Sequence, residues 1–186
     1  MENSFFYFYS ATPQVLGGIL ALFGVFVIFK LQTIKNQLIG IGQAIIDEVN
    51  RRNKLSNPIR LSDKLDTSII LNSLKKAINR DDINELKTAI GLIESQDFGT
   101  SWRKYMDVYD FYKSLIRNTL ALSIFTASVI VLCLIIIPFA ENILCNTTIL
   151  YTLFILVIIC IITCFAGLII ILKKSLYDKF YTLTPN

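Results

Sequence analysis

Charge is unevenly distributed along this chain. Three stretches, from Pro13 to Phe29, Thr119 to Phe139 and Ile149 to Leu172, hold no Asp, Glu, Lys or Arg. They are apolar all round, so no periodicity can be read from them. Their length and missing charge predict membrane-spanning helices rather than buried helices of a soluble domain. The first is the shortest: seventeen residues rise roughly 25 Å against a hydrocarbon core near 30 Å. Thr12 is placed to cap it and Pro13 to open it. The preceding Phe5-Phe6-Tyr7-Phe8-Tyr9 suits the membrane interface. The run is expected to persist as a span, because Met1-Glu2-Asn3 lacks the positive region of a cleaved signal.

Polar and apolar positions alternate with helical period between the first two spans. Leu31, Ile34, Leu38, Ile41 and Ile45 recur at spacings of 3, 4, 3 and 4, and so do Trp102, Tyr105, Tyr109, Tyr112 and Ile116. Each stripe continues the phase of a span with no Pro or Gly-rich linker between. The reading is a pair of stalks that cross the membrane surface unbroken at Lys30 and Arg117, with Leu38 and Tyr109 buried. The two are expected to pack antiparallel and bury both stripes; the alternatives are that Leu31–Ile45 pairs between subunits or that the aromatic stripe lies flat in the headgroup region. Gly40 and Gly42 weaken the first stalk.

A helical hairpin is expected between the stalks. Ser62 can cap a helix to about Asn79, with Asp63 and Asp66 near its positive end. Asp82-Ile83-Asn84-Glu85 has the capping-box pattern, opening a second helix to about Ser95 before a turn at Phe98-Gly99-Thr100. The first hairpin helix is apolar on two sides. Leu65 and Ile69 lie on one, and Ile70, Leu74, Ala77 and Ile78 lie nearly opposite. One side can meet the second helix. The other packs on the stalk or receives another protein, which makes Ile70, Leu74, Ala77 and Ile78 the candidate partner face.

The expected fold is therefore all-α: a three-span transmembrane helical protein with a cytoplasmic helical stalk and hairpin between spans one and two. Residues 1–29 form an outer tail and the first span. Residues 30–118 form the helical domain, 119–172 the second and third spans, and 173–186 a tail. Gly17, Ala21 and Gly24 share one face of the first span and mark a close helix-packing surface.

Composition then orients the chain. Of its eighteen Lys and Arg, fifteen lie in residues 30–118 and the rest are Lys173, Lys174 and Lys179. If the spans alternate, all fall on one side. The positive-inside rule puts residues 30–118 and the C-terminus in the cytoplasm, and the N-terminus and loop 140–148 outside. This explains the net charge of +4 without nucleic acid. Rich Ile, Phe, Asn and Lys fit an AT-rich genome, and with it a bacterial inner membrane. Asn146-Thr147-Thr148 matches a glycosylation sequon but abuts the membrane, and is read as a chance match.

The remaining chemistry is sparse. Histidine is absent. Cys133, Cys160 and Cys164 sit in apolar runs, and only Cys145 lies in a loop. No phosphate loop, dinucleotide fingerprint, zinc spacing or nucleophile elbow occurs. Asp81-Asp82 reads as capping rather than a cation site. No enzyme, cofactor, metal, nucleic acid or small-molecule substrate is inferred. The spans lack charge, which disfavours a coupled carrier. Gln14, Ser123, Thr126, Ser128 and Thr163 could line a pore made by several copies. Two functions are expected to compete. The first is a non-enzymatic membrane protein whose cytoplasmic helices dock or sense a protein partner. The alternative is an oligomeric membrane-disrupting or pore-forming effector triggered through those helices. The partners are the bilayer and a second protein or another copy.

Overall fold

The computed structural model describes residues 2–54, 67–93, 95–139, 143 and 146–176, with side chains at 4–52, 67–93, 99–139, 143 and 146–176. Among these residues the chain is helical and holds no strand. The helices are α1 (Glu2–Lys54), α2 (Thr67–Asn79), α3 (Ile83–Gly91), α4 (Ser95–Ile136) and α5 (Thr147–Leu176), with a 3-10 turn at Ile137–Phe139. Three of them, α1, α4 and α5, are long and apolar enough to cross a membrane. The chain divides into two compact units. One holds the residues up to Phe29 and those from Leu115 onward, and the other runs from Lys30 to Ser114. Both boundaries fall within helices, since α1 runs unbroken through Lys30 and α4 through Arg117.

In the first unit, Phe5, Tyr9 and Leu16 of α1 pack with Val129, Cys133 and Ile136 of α4 and with Val157 and Cys164 of α5. Two contacts set the register of α4 against α5. A methyl added at Gly167 would stand 2.7 Å from a Leu122 methyl. One turn further along, the Thr126 hydroxyl meets Cys164 Sγ at 3.5 Å. Glycine at 167 is what lets the two helices approach so closely.

The start of α1 corrects the sequence reading. Pro13 does not open the helix but lies inside it. An interior proline removes one backbone hydrogen bond and costs about 3 kcal/mol. In hydrocarbon, however, an uncoiled N-terminal backbone would leave several polar groups unsatisfied. Burial of Phe5 and Tyr9 in the bundle favours the helix further. The aromatic run is thus split, with Tyr7 76% exposed while Tyr9 is fully enclosed.

At the far end of α4, Pro138 lies in the closing 3-10 turn, as its restriction on the preceding residue requires. Asn146 then opens α5: its carbonyl accepts from Leu150 N–H at 3.0 Å and its side chain accepts from Ile149 N–H at 3.4 Å. The residue that heads the sequon serves as a helix cap.

The second unit is built around α3. Ile83, Leu86, Ala89 and Ile90 of α3 are buried with Ile70, Leu74 and Ala77 of α2. Gly42 of α1 faces Leu86 so closely that a Cβ added to it would stand 3.0 and 3.1 Å from the Leu86 methyls and 3.5 Å from an Ile78 methyl. The Tyr105 hydroxyl of α4 donates to the Ile83 carbonyl at 3.4 Å. Gly42 of α1 and Tyr105 of α4 therefore both reach α3. Gly99 has φ +40° and ψ −102°, which breaks the first turn of α4 from the rest at the expected turn. The Ser62 cap and Leu65 lie outside the described residues.

Candidate functional site

Three sets of residues stand out in the sequence, and the structure places each. In the first stalk stripe, Ile34, Leu38 and Ile45 are buried but Leu31 and Ile41 are only half-buried. Ile46 and Val49 are buried as well. The seam drifts because an undistorted helix turns every 3.6 residues, not 3.5. The heptad reading is corrected to a globular packing face, with Gly42 at its centre. In the second stripe Tyr105 and Tyr109 are buried, while Trp102 and Tyr112 are half-buried. Ile116 is 39% exposed and its neighbour Leu115 takes the inward position, with Val108 one further addition.

The candidate partner face is corrected more fully. Ile70, Leu74 and Ala77 are closed inside the unit and Ile78 reaches Gly42. The hairpin uses that side of α2 for its own core, so the side that stays outward is the one bearing Ile69. On α1, Gly17 and Gly24 are half-buried and Ala21 is exposed. A methyl at either glycine would meet no atom within 4 Å, so no described helix of this chain packs closely there.

Polar groups in the second unit are engaged in holding helix ends. The turn between α2 and α3 has the geometry of a Schellman motif. Asp82 N–H donates to the Ala77 carbonyl at 2.9 Å and Asp81 N–H to the Ile78 carbonyl at 3.1 Å. Asp81 occupies the left-handed position with φ +59°, where glycine is usual. Its carboxylate accepts from Lys35 Nζ of α1 at 2.8 Å.

Asp82 caps α3, its Oδ1 accepting from Asn84 N–H at 2.9 Å and Glu85 N–H at 3.1 Å. Because the Asp82 N–H is already bonded to Ala77, the reciprocal half of the expected capping box is not needed. Helix α3 ends at Gly91, four residues before the expected Ser95, as Leu92 and Ile93 N–H groups turn back onto Ala89 and Ile90 carbonyls. Asp82 announced itself in the sequence, but the left-handed Asp81 did not.

Two further clusters do structural work. Glu48 accepts from Arg51 at 2.8 Å through both its oxygens and from Arg52 at 2.9 Å. These hydrogen bonds hold its carboxyl down at about 2 and raise the Arg51 guanidinium. Tyr109 donates to Asn84 Oδ1 at 3.0 Å, and Lys87 stands 4.8 Å over its ring. Burial, with the neighbouring Tyr109 adding to it, pushes the Tyr105 phenol up.

The first unit has two chemically different ends. At one, the Phe8 ring meets the Phe154 ring at a tilt, 4.7 Å between centroids, with Tyr7 and Tyr151 exposed nearby in sequence. At the other, Lys173 and Lys174 sit in the last turn of α5. The stretch of α5 from Phe154 to Lys173 rises roughly 28 Å, close to one hydrocarbon thickness. Between these ends, the Thr126, Ser128 and Thr163 hydroxyls each donate to a carbonyl four residues back on their own helix. Such hydroxyls can face lipid without water. An apolar groove of about 620 Å³ runs along α4 past Ile124, Val131 and Ile136, beside Leu153.

No cluster of three or more His, Cys, Asp or Glu able to hold a metal occurs among the described residues. Comparison of the chain with family profiles, curated proteins and solved structures returned no match.

Proposed function

We propose that this chain is a non-enzymatic integral membrane protein whose helical unit, Lys30–Ser114, lies at the cytoplasmic face and docks or senses a protein partner. The observation that carries the reading is how the polar side chains of that unit are used. Asp82 caps a helix, Asp81 holds Lys35, Glu48 clamps two arginines and Tyr109 bonds Asn84. None of these arrangements pairs a nucleophile with a base. They build a rigid small domain whose outward surface is left for contacts.

The charge distribution supports the orientation. Cations gather on one side of every span, and the opposite end of the membrane unit carries aromatic rings, as interfacial belts do. Residues 30–118 carry fifteen of eighteen Lys and Arg, which is the positive-inside signature of an inner membrane whose C-terminal tail is also cytoplasmic.

The test compares this reading with a membrane-breaching effector. The tagged full chain is purified from its own membranes in mild detergent, and membrane potential is followed with a voltage-sensitive dye on overproduction. Docking gives one co-purifying protein and an unchanged potential. Depolarisation without a bound protein would replace this reading with that of an effector.

A further inference from the structure

The outward face of α2 differs from the other exposed surfaces among the described residues of the helical unit. Ile69 is 54% exposed, and it is the one large apolar side chain so exposed among the described residues of Lys30–Ser114. The others exposed to this degree lie in the unit whose helices are long and apolar enough to cross a membrane. Ile69, Lys76 and Arg80 follow at spacings of 7 and 4, so they form one stripe on the surface. Lys75 flanks it. Helix α2 contains no acidic residue. Lys75, Lys76 and Arg80 are all exposed and form no ion pair among the described residues.

Resting on the docking reading above, we infer that this stripe is the docking surface and that its partner is an acidic protein segment carrying one apolar anchor. Ile69 supplies a desolvated contact, and the three cations supply steering and register. Two other anionic partners fit less well. A bilayer-lying helix needs a broad apolar face, and the apolar face of α2 is closed in the core through Ile70, Leu74 and Ala77. Nucleic acid calls for a basic track that follows several phosphates, and this stripe holds only three cations.

The experiment places the photoreactive residue p-benzoylphenylalanine at Asn72, on the same exposed face, in the full chain within its source cells. Two control positions, Asn36 and Asp107, are exposed on α1 and α4. Adducts are identified by mass spectrometry. The expected result is one protein adduct from position 72, attached within a segment rich in Asp and Glu. Combined Lys76→Glu and Arg80→Glu should lower its yield at least about tenfold, since like charges face each other across the contact. Ile69→Ser should lower it several-fold, and reversing the partner's acidic residues to Lys should restore it. These are exposed positions, so membrane insertion and helix content should not change.

Adducts from position 72 to lipid or to a second copy of this chain would overturn the inference, and so would a yield indifferent to the charge reversal. Protein adducts from Asn36 or Asp107 but none from position 72 would remove this surface and leave the docking reading standing. No protein adduct from any position would remove both.

Discussion

Replacing Asp81 with glycine should leave the stability of the α2–α3 turn within about 1 kcal/mol of its present value. A non-glycine residue in the left-handed region is penalised by roughly 1–2 kcal/mol, less for Asp than for most. Glycine removes that strain. Against it stand two losses. The Lys35–Asp81 pair is exposed at both ends, with 31% and 61% of the side chains accessible, and such pairs contribute about 0.2–1 kcal/mol. Glycine also widens the unfolded ensemble, at about 0.4–1 kcal/mol. The three nearly cancel, so the net change should stay within about 1 kcal/mol of zero. Asp81→Ala keeps the strain and loses the pair, so it should cost about 1 kcal/mol. Lys35→Ala should weaken the wild type slightly and have no effect in the glycine variant. Hydrogen exchange of amides in residues 67–93, measured in the full chain in micelles, reads these differences locally. A shift of 1 kcal/mol is about fivefold in protection. Asp81→Gly that speeds exchange more than about fivefold would show that the ion pair, not the backbone, governs the turn.

Three other perturbations follow from the same packing. Gly42→Leu should destabilise the helical unit by about 1–3 kcal/mol, because even a Cβ at that position presses on Leu86; thermal unfolding by circular dichroism should show it, and Gly40→Leu should not. Tyr105→Phe should cost no more than about 1 kcal/mol, since its bond to Ile83 is long at 3.4 Å, whereas Tyr105→Ala should cost about 3–5 kcal/mol. The raised Tyr105 phenol stays neutral in the folded chain while the unfolded one ionises, so stability should fall as pH rises past about 10, a loss absent in Tyr105→Phe. Glu48 works in the opposite direction. Its carboxyl is held at about 2, so its contribution is present above the unfolded value near about 4.3 and is lost as pH falls toward 2. Protection at residues 47–52, taken relative to the intrinsic exchange rate at each pH, should fall over that window, and Glu48→Gln should abolish the change.

What could be read before folding was whatever depends on charge and length. The three helices long and apolar enough to cross a membrane, the Asp82 cap and the unbroken helices through Lys30 and Arg117 each follow from a local signal. Where two signals competed, nothing local ranked them. Pro13 reads as a helix start by local propensity, but an apolar bilayer makes an extended helix the better solution for the backbone around it. Gly42 reads as a weak point, though it is the contact that lets α1 approach Leu86. Helix α2 has two apolar sides, and only the three-dimensional packing decides that Ile70, Leu74 and Ala77 turn inward and Ile69 outward. A left-handed Asp81 leaves no trace in a chain where Asp81-Asp82 already reads as a cap.

The central claim is that the helical unit stands on the cytoplasmic side, where a partner can reach it. It is tested most directly with single cysteines in a chain whose four native cysteines are replaced by alanine. Asp107→Cys lies on the exposed face of α4 and Thr148→Cys at the start of α5. Each is treated with a membrane-impermeant maleimide in intact, right-side-out membranes, before and after permeabilisation. The account predicts that Thr148→Cys labels at once and that Asp107→Cys labels only once the membrane is opened. Labelling of Asp107→Cys in sealed membranes, with Thr148→Cys protected, would contradict it.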